Sequence, residues 1–203
     1  NPNISWFDRY KIALGVSKGL KCLHDNNIIH RDLKGLNVLL DKDNIPKIAD
    51  FGTSKRIDSN SKPISVVCGT YGWFAPETFD TDRTLESDIY SLGVVFWEIS
   101  SGEIPFSNLD VSFIKIKVLE NERPPIPEDC PLNFSELITK CWNQNPHERP
   151  KIDVVISILN SMIDQDTNHN PDNEELNRFS VINSDDQVVD HKTEDQSNVE
   201  VIS

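Results

Sequence analysis

Apolar residues near the start of the chain recur at helical spacing. Trp6, Tyr10, Ala13, Val16, Leu20 and Leu23 lie three or four apart, the period of a helix face packed on a core. Ser5 with Asp8 three positions later is a capping signal, so a helix is expected over 3–24. Ile28 and Ile29 make a short apolar step. Val38-Leu39-Leu40, the turn-forming residues 41–44, and then Ile45 to Ala49 predict a small β-hairpin. From 50 to 77 the period fades and Ser, Lys and Gly accumulate, which points to a functional or mobile segment. Residues 86–100 are apolar nearly all round, with Ile89, Leu92, Val94, Val95, Phe96, Trp97 and Ile99. Such a helix belongs at the centre of a domain, here started by Thr84 and ended by Gly102. A shorter helix is expected over 111–120. Pro124, Pro125 and Pro127 exclude regular structure there, because each removes a backbone donor. Two amphipathic helices are expected over 133–142 and 152–163. The pattern is mainly α with one hairpin, and it contains no internal repeat.

Charge divides the chain unevenly. Of the 203 residues, 164–203 carry 11 acidic and 2 basic side chains, against a net charge of −13 for the whole. Few apolar groups and many like charges cannot offset the entropy of ordering. The expected organisation is therefore a folded unit over 1–163 and an acidic disordered tail over 164–203, with 176–182 as the tail segment suited to docking. The folded unit is nearly balanced, which argues against nucleic-acid binding, since that needs a basic face. Cys22, Cys68, Cys130 and Cys141 are far apart and form no C-x-x-C pair, as expected of reduced thiols in a cytoplasmic protein. The start lacks the pattern of a signal peptide, and no run approaches the 18 apolar residues of a membrane span.

Chemistry concentrates in H-R-D-L-K-G-L-N, residues 30–37, and in D-F-G, residues 50–52. The hairpin between them folds two loops together, so that Asp32, Lys34, Asn37 and Asp50 face one point. Phosphoryl transfer needs such a set. A carboxylate such as Asp32 orients a hydroxyl and accepts its proton. An ammonium such as Lys34 neutralises charge on the transferred group. Asn37 and Asp50 offer the hard oxygens that Mg2+ prefers. A lone Asp or Lys in a loop is more often a solvated surface group; the joint spacing is what carries the signal.

From about Ser5 to Ile163 the chain resembles the larger, C-terminal lobe of eukaryotic protein kinases. The motifs are those two, with G-T-Y-G-W-F-A-P-E (69–77), D-I-Y-S-L-G (88–93) and C-W-N-Q-N-P-H-E-R-P (141–150), in family order and spacing. The resemblance implies a helical bundle around a buried central helix, with a small β-hairpin at the active site. It implies that Asp32 is the catalytic base, that Lys34 contacts the γ-phosphate of ATP, and that Asn37 and Asp50 hold Mg2+. Leu39 would lie under the adenine. It further implies a buried Glu77–Arg149 ion pair, acceptance by Asp88 of backbone hydrogen bonds near His30 and Arg31, and stacking of His30 on Phe51. Lys34 and Thr70 resemble serine/threonine enzymes, while segment 69–77, the Trp97-Glu98 pair and the C-W…R-P ending resemble the tyrosine-kinase-like group. The implied partners are a protein substrate and an upstream kinase. The latter would act on Ser59, Ser61, Ser65 or, less readily, Thr70, with Arg31, Lys55, Arg56 and Lys62 receiving the phosphate.

None of the eight glycines forms G-x-G-x-x-G, and no V-A-I-K precedes residue 30. The small lobe that the resemblance implies is therefore not encoded in these residues. Because catalysis here is mostly positioning and electrostatics, this chain alone is expected to bind ATP poorly and to transfer phosphate very slowly. A non-catalytic, kinase-like interaction module is the alternative, and a small-molecule phosphotransferase is a minor third reading.

Overall fold

Helix α1 (Trp6–Asp25) starts where Ser5 accepts the backbone N–H of Asp8 on its side chain. The structure, a computed structural model, describes residues 4–57, 71–169 and 200–201. After α1 come β1 (Ile28–Ile29), β2 (Val38–Leu40), β3 (Pro46–Ile48) and β4 (Lys55–Arg56), then α2 (Leu85–Ser101), α3 (Val111–Leu119), α4 (Leu132–Cys141), α5 (Ile152–His169) and β5 (Glu200–Val201). Short 3₁₀ turns at Gly35–Asn37, Phe51–Thr53, Tyr71–Trp73, Pro76–Phe79 and Pro146–Glu148 fill much of the remainder. The fold is mostly helical, as the apolar pattern predicts.

Helix α2 is the core. Tyr90, Leu92, Val94, Val95 and Phe96 are all but inaccessible, so burial of this helix supplies much of the hydrophobic drive. Thr84 and Ser87 bond each other's backbone in a capping box, and Gly102 closes the other end in the left-handed conformation. The last turn of α2 holds no basic residue of its own. Arg9 of α1 supplies one, donating to the carbonyls of Ile99 and Ser100, where a cation offsets the helix dipole. The rings of Tyr10, Phe96 and Phe134 lie 5.5 and 5.6 Å apart in sequence order through Phe134, joining α1, α2 and α4.

Two small ladders position the loops. β2 and β3 form the expected hairpin, with Val38 opposite Ile48 and Leu40 opposite Pro46. β1 pairs antiparallel with β4, Ile28 opposite Arg56 and Ile29 opposite Lys55, which a two-residue apolar step does not announce. The chain therefore runs β1, loop, β2 and then β3, turn, β4, each strand paired with its counterpart. The two intervening loops are thereby held face to face. The described part of 50–77 is also more regular than its sequence suggests, consisting of 3₁₀ turns and β4.

Helix α5 runs to His169, past the domain edge expected at Ile163. At the far end of the acidic segment, β5 pairs with the outer edge of β2, Leu39 opposite Val201 and Leu40 opposite Glu200. An unpaired strand edge is a template for such addition. Of the segment 164–203, the described residues are thus the end of α5 and the two residues of β5. Cys22 is exposed, Cys130 half-buried and Cys141 buried, and all three are free thiols; Cys68 and the segment 176–182 lie outside the described residues. No described helix is long and apolar enough to cross a membrane.

Candidate active site

Loop 30–37 is held from beneath by α2. Asp88, in the first turn of that helix, is 1% exposed. Its carboxylate accepts the backbone N–H of His30 at 2.8 Å and of Arg31 at 3.0 Å, and lies 3.1 Å from Nε2 of His24 on α1. Ten residues along α2, about 15 Å at helical rise, Glu98 accepts the N–H of Gly35 at 2.9 Å. One buried helix therefore grips the loop near both of its ends. Arg31 adopts φ 75, a strained value for a side-chain-bearing residue that persists only where surrounding bonds impose it.

Within the loop, Asp32, Lys34 and Asn37 come together. The Lys34 ammonium donates to Asp32 Oδ2 at 2.8 Å, and Asn37 Nδ2 donates to the Asp32 carbonyl at 2.7 Å and to Oδ2 at 3.3 Å. The amide of Asn37 is thereby oriented, leaving its Oδ1 as the atom available to a cation. Ala49 N–H donates to the Asn37 carbonyl at 2.8 Å, which binds the residue before Asp50 directly to the loop. Asp50 is exposed at φ 58, with its carboxylate accepting Gly52 N–H at 3.3 Å. Leu39 is half-buried on β2, opposite Lys47. His30 is fully buried. Its Nε2 lies 3.1 Å from the Ala49 carbonyl, and its ring meets Phe51 edge-on at 5.6 Å, although Phe51 stays 51% exposed.

Beside the loop, Arg31, Lys55, Arg56 and Arg83 line a cavity of about 120 Å³ together with Ile29, Ile57 and Asp82. Ser59, Ser61, Ser65, Thr70 and Lys62 lie outside the described residues. Arg83 donates to the Arg31 carbonyl and stacks on the Phe74 ring at 4.0 Å. Burial, and then the neighbouring Arg31, lower its pKa from the ordinary arginine value.

Segment 71–77 rests on the same helix. Trp73 Nε1 donates to Glu98 Oε2 at 2.7 Å, and Ser91 Oγ donates to the Trp73 carbonyl at 2.8 Å. Tyr71, Phe74 and Phe79 form a ring cluster with centroids 5.6 to 6.2 Å apart. Glu77 takes a bidentate pair of bonds from Arg149 at 2.6 and 2.8 Å. Burial pushes the Glu98 carboxyl up to about 7, against the opposing pull of the Trp73 and Gly35 hydrogen bonds and of the Lys34 charge.

His24, Gly35, Arg83 and Glu98 are the contributors that sequence reasoning did not single out for a role at the site. Glu98 had a visible signal, an acid within the apolar run Leu92–Ile99 of α2. Gly35 had none, since only the fold shows that a Cβ there would lie 2.8 Å from Glu98 Oε1.

A family model described as protein tyrosine and serine/threonine kinase matches residues 1–159. The chain is 41% identical over 155 residues to the serine/threonine-protein kinase STY17 of Arabidopsis thaliana, covering 75% of this chain and 27% of that protein. It is 38% identical over 151 residues to the serine/threonine/tyrosine-protein kinase HT1 of the same plant, covering 73% and 38%. With mitogen-activated protein kinase kinase kinase 12 of Rattus norvegicus it shares 43% identity over 140 residues, 68% of this chain and 16% of the relative. The chain thus spans well under half the length of each of these relatives.

Proposed function

The chain belongs to the protein tyrosine and serine/threonine kinase family, and from that premise we propose that it is the catalytic lobe of a serine/threonine protein kinase. The reaction moves the γ-phosphoryl group of ATP to a serine or threonine hydroxyl of a protein substrate. The observation that carries this reading is the cluster of Asp32, Lys34 and Asn37 on a loop gripped by buried acids of α2. The substrate oxygen forms its bond to the γ-phosphorus, the bond to the β-bridging oxygen breaks, and the hydroxyl proton goes to Asp32. The Lys34 ammonium, already beside Asp32, stabilises charge on the group in transit. Leu39 forms the apolar floor for the adenine.

Asn37 Oδ1 and the exposed carboxylate of Asp50 fit Mg2+, which takes few protein oxygens and keeps waters and phosphate oxygens for the rest. When bound, Mg2+ offsets phosphate charge. The basic cavity at Arg31, Lys55 and Arg56 suits a phosphate placed by an upstream kinase on Ser59, Ser61 or Ser65. The names of the relatives, and Lys34 two residues after Asp32, support the serine/threonine assignment.

The test is transfer of labelled γ-phosphate to a generic protein substrate, by this chain alone and by the chain with a kinase small lobe joined ahead of Asn1. Transfer to serine or threonine is expected in the joined form, reduced at least about 100-fold by Asp32→Asn. Equal transfer by Asp32→Asn, or none in the joined form, would overturn the reading and favour the non-catalytic module.

A further inference from the structure

A single carboxylate oxygen links two parts of the site that are far apart in sequence. Glu98 Oε2 accepts Nε1–H of Trp73 at 2.7 Å and N–H of Gly35 at 2.9 Å. Trp73 belongs to the segment that ends in the Glu77–Arg149 pair, and Gly35 sits between Lys34 and Asn37. Glu98 is 7% exposed, so neither donor has water as an easy substitute partner. The approach is close: a Cβ on residue 35 would lie 2.8 Å from Oε1 and 3.1 Å from both Cδ and Oε2. Glycine at 35 is what allows the carboxylate to reach the loop. Asp88 fixes the start of that loop to the same helix, but touches nothing in segment 71–77 among its hydrogen bonds. Glu98 hydrogen-bonds both with one oxygen, whereas Arg83 joins them only near the start of the loop, through the Arg31 carbonyl and the Phe74 ring.

We propose that Glu98 is a positioning residue that couples segment 71–77, which on the kinase reading receives the protein substrate, to the loop that carries Asp32, Lys34 and Asn37. A substrate that settles Trp73 into its bond with Glu98 thereby fixes Gly35, and with it the spacing of Lys34 and Asn37 on either side. The reverse also holds, since a coupling through one shared acceptor is reciprocal. The charged group facing Glu98 is Lys34, from the loop; Trp73 and Gly35 bring neutral donors. Burial raises the Glu98 carboxyl to about 7, so its charge, and hence the strength of both bonds, changes near neutral pH. The assignment of a platform and a catalytic loop rests on the kinase reading; the coupling itself does not.

The coupling is tested on the full chain by NMR. The indole N–H of Trp73, assigned by its loss in Trp73→Phe, and the amide of Gly35 should titrate together, with one midpoint near 7. Glu98→Gln keeps the shape and should abolish both titrations while leaving the remaining amide spectrum folded. Trp73→Phe should speed exchange of the Gly35 amide about 2- to 10-fold, the equivalent of one weakened hydrogen bond, and should have no such effect in the Glu98→Gln background. Separate midpoints, titration that survives Glu98→Gln, or an unchanged Gly35 amide in Trp73→Phe would each overturn the coupling. In the joined enzyme, Glu98→Gln should raise KM for protein substrate and lower kcat by about 10- to 100-fold together, with KM for ATP little altered. Unchanged constants for the protein substrate would overturn the positioning role. Absence of transfer by the unmutated enzyme would instead remove the kinase reading, and the NMR result would still decide the coupling.

Discussion

Arg149 offers the sharpest test of how the segment before α2 is anchored. Its side chain is fully buried, whereas that of Glu77 keeps 19% of its surface. Besides the two bonds to Glu77, the guanidinium donates to the carbonyls of Asn143 and Glu86, both at 2.9 Å, and lies 5.1 Å from the Tyr90 ring. Removing one partner of a buried pair costs about 3–5 kcal/mol, because the other charge stays behind. The two deletions are not equivalent. Glu77→Gln leaves a buried cation that still has two carbonyls and a ring face, and about 3 kcal/mol is expected. Arg149→Met leaves a carboxylate that water can reach, but it also strips the part-buried Asn143 and Glu86 carbonyls of their donor at about 1 kcal/mol each, which places it near 4–5 kcal/mol. The double variant should cost little more than Arg149→Met, since the pair is already broken. That leaves a coupling of about 2–3 kcal/mol, within the range for directly contacting residues. Urea unfolding of the four proteins measures the cycle, and 1 M salt should weaken the coupling only modestly, since Arg149 is fully buried while Glu77 keeps partial access to water. Additivity of the two single effects to within about 0.5 kcal/mol would refute the argument.

Two further outcomes follow from single atoms. Gly93→Ala should destabilise by roughly 1–3 kcal/mol, although alanine is worth about 1 kcal/mol over glycine in a helix. The new Cβ would sit 2.7 Å from Cys141 Cβ and 2.9 Å from the Trp142 nitrogen, and backbone does not yield; a stabilised variant in urea unfolding would contradict this. For Glu98, the folded carboxyl stands at about 7 against an ordinary 4.5. The folded state then holds the proton more tightly than the unfolded chain, so this group's contribution is greatest below 4.5 and is lost as pH rises to 7 and beyond. The loss amounts to roughly 3 kcal/mol. The stability difference between Glu98→Gln and the unmutated chain should therefore shift in favour of Glu98→Gln across that window, and a difference independent of pH would sink the assignment.

The strength of the sequence pattern decided how much of the fold could be read. Helix α2 was legible because burial on every side leaves an unbroken apolar run, and because Thr84 and Gly102 stand at its ends. The strands β1 and β4 were not, since two residues cannot display a period of two. Helix α5 overran its expected end because apolar spacing stops at Ile163 while helix-stopping residues do not follow at once; the next proline is Pro171 and no glycine follows Gly102. The clustering of Asp32, Lys34 and Asn37 was legible through a local motif on one loop. Glu98 escaped notice as a contact because its two partners lie 63 and 25 residues away, and only tertiary packing brings them to one oxygen.

That packing supports the two sides of the site unequally. Asp32, Lys34 and Asn37 stand on a loop whose backbone is bonded to Asp88 at one end and to Glu98 near the other, both rooted in the buried face of α2. Such a loop keeps its shape without a ligand, and the strain at Arg31 is held by the same bonds. The side that carries Asp50 has far less beneath it. Ala49, Thr53 and Ser54 on either side of Asp50 bond the Asn37 and His30 carbonyls. The residues between them are held by one bond from Gly52 to Asp50, the 3₁₀ turn, and the edge contact between His30 and Phe51. Asp50, Phe51 and Gly52 are all exposed. Local stability follows buried contacts, so the loop that carries Asp32, Lys34 and Asn37 is preorganised while the exposed turn at Asp50 must be ordered by what binds there. Ordering has an entropic cost that subtracts from affinity. A lobe built this way gains most when a second surface covers Phe51, because that contact orders the weak half without disturbing the strong one.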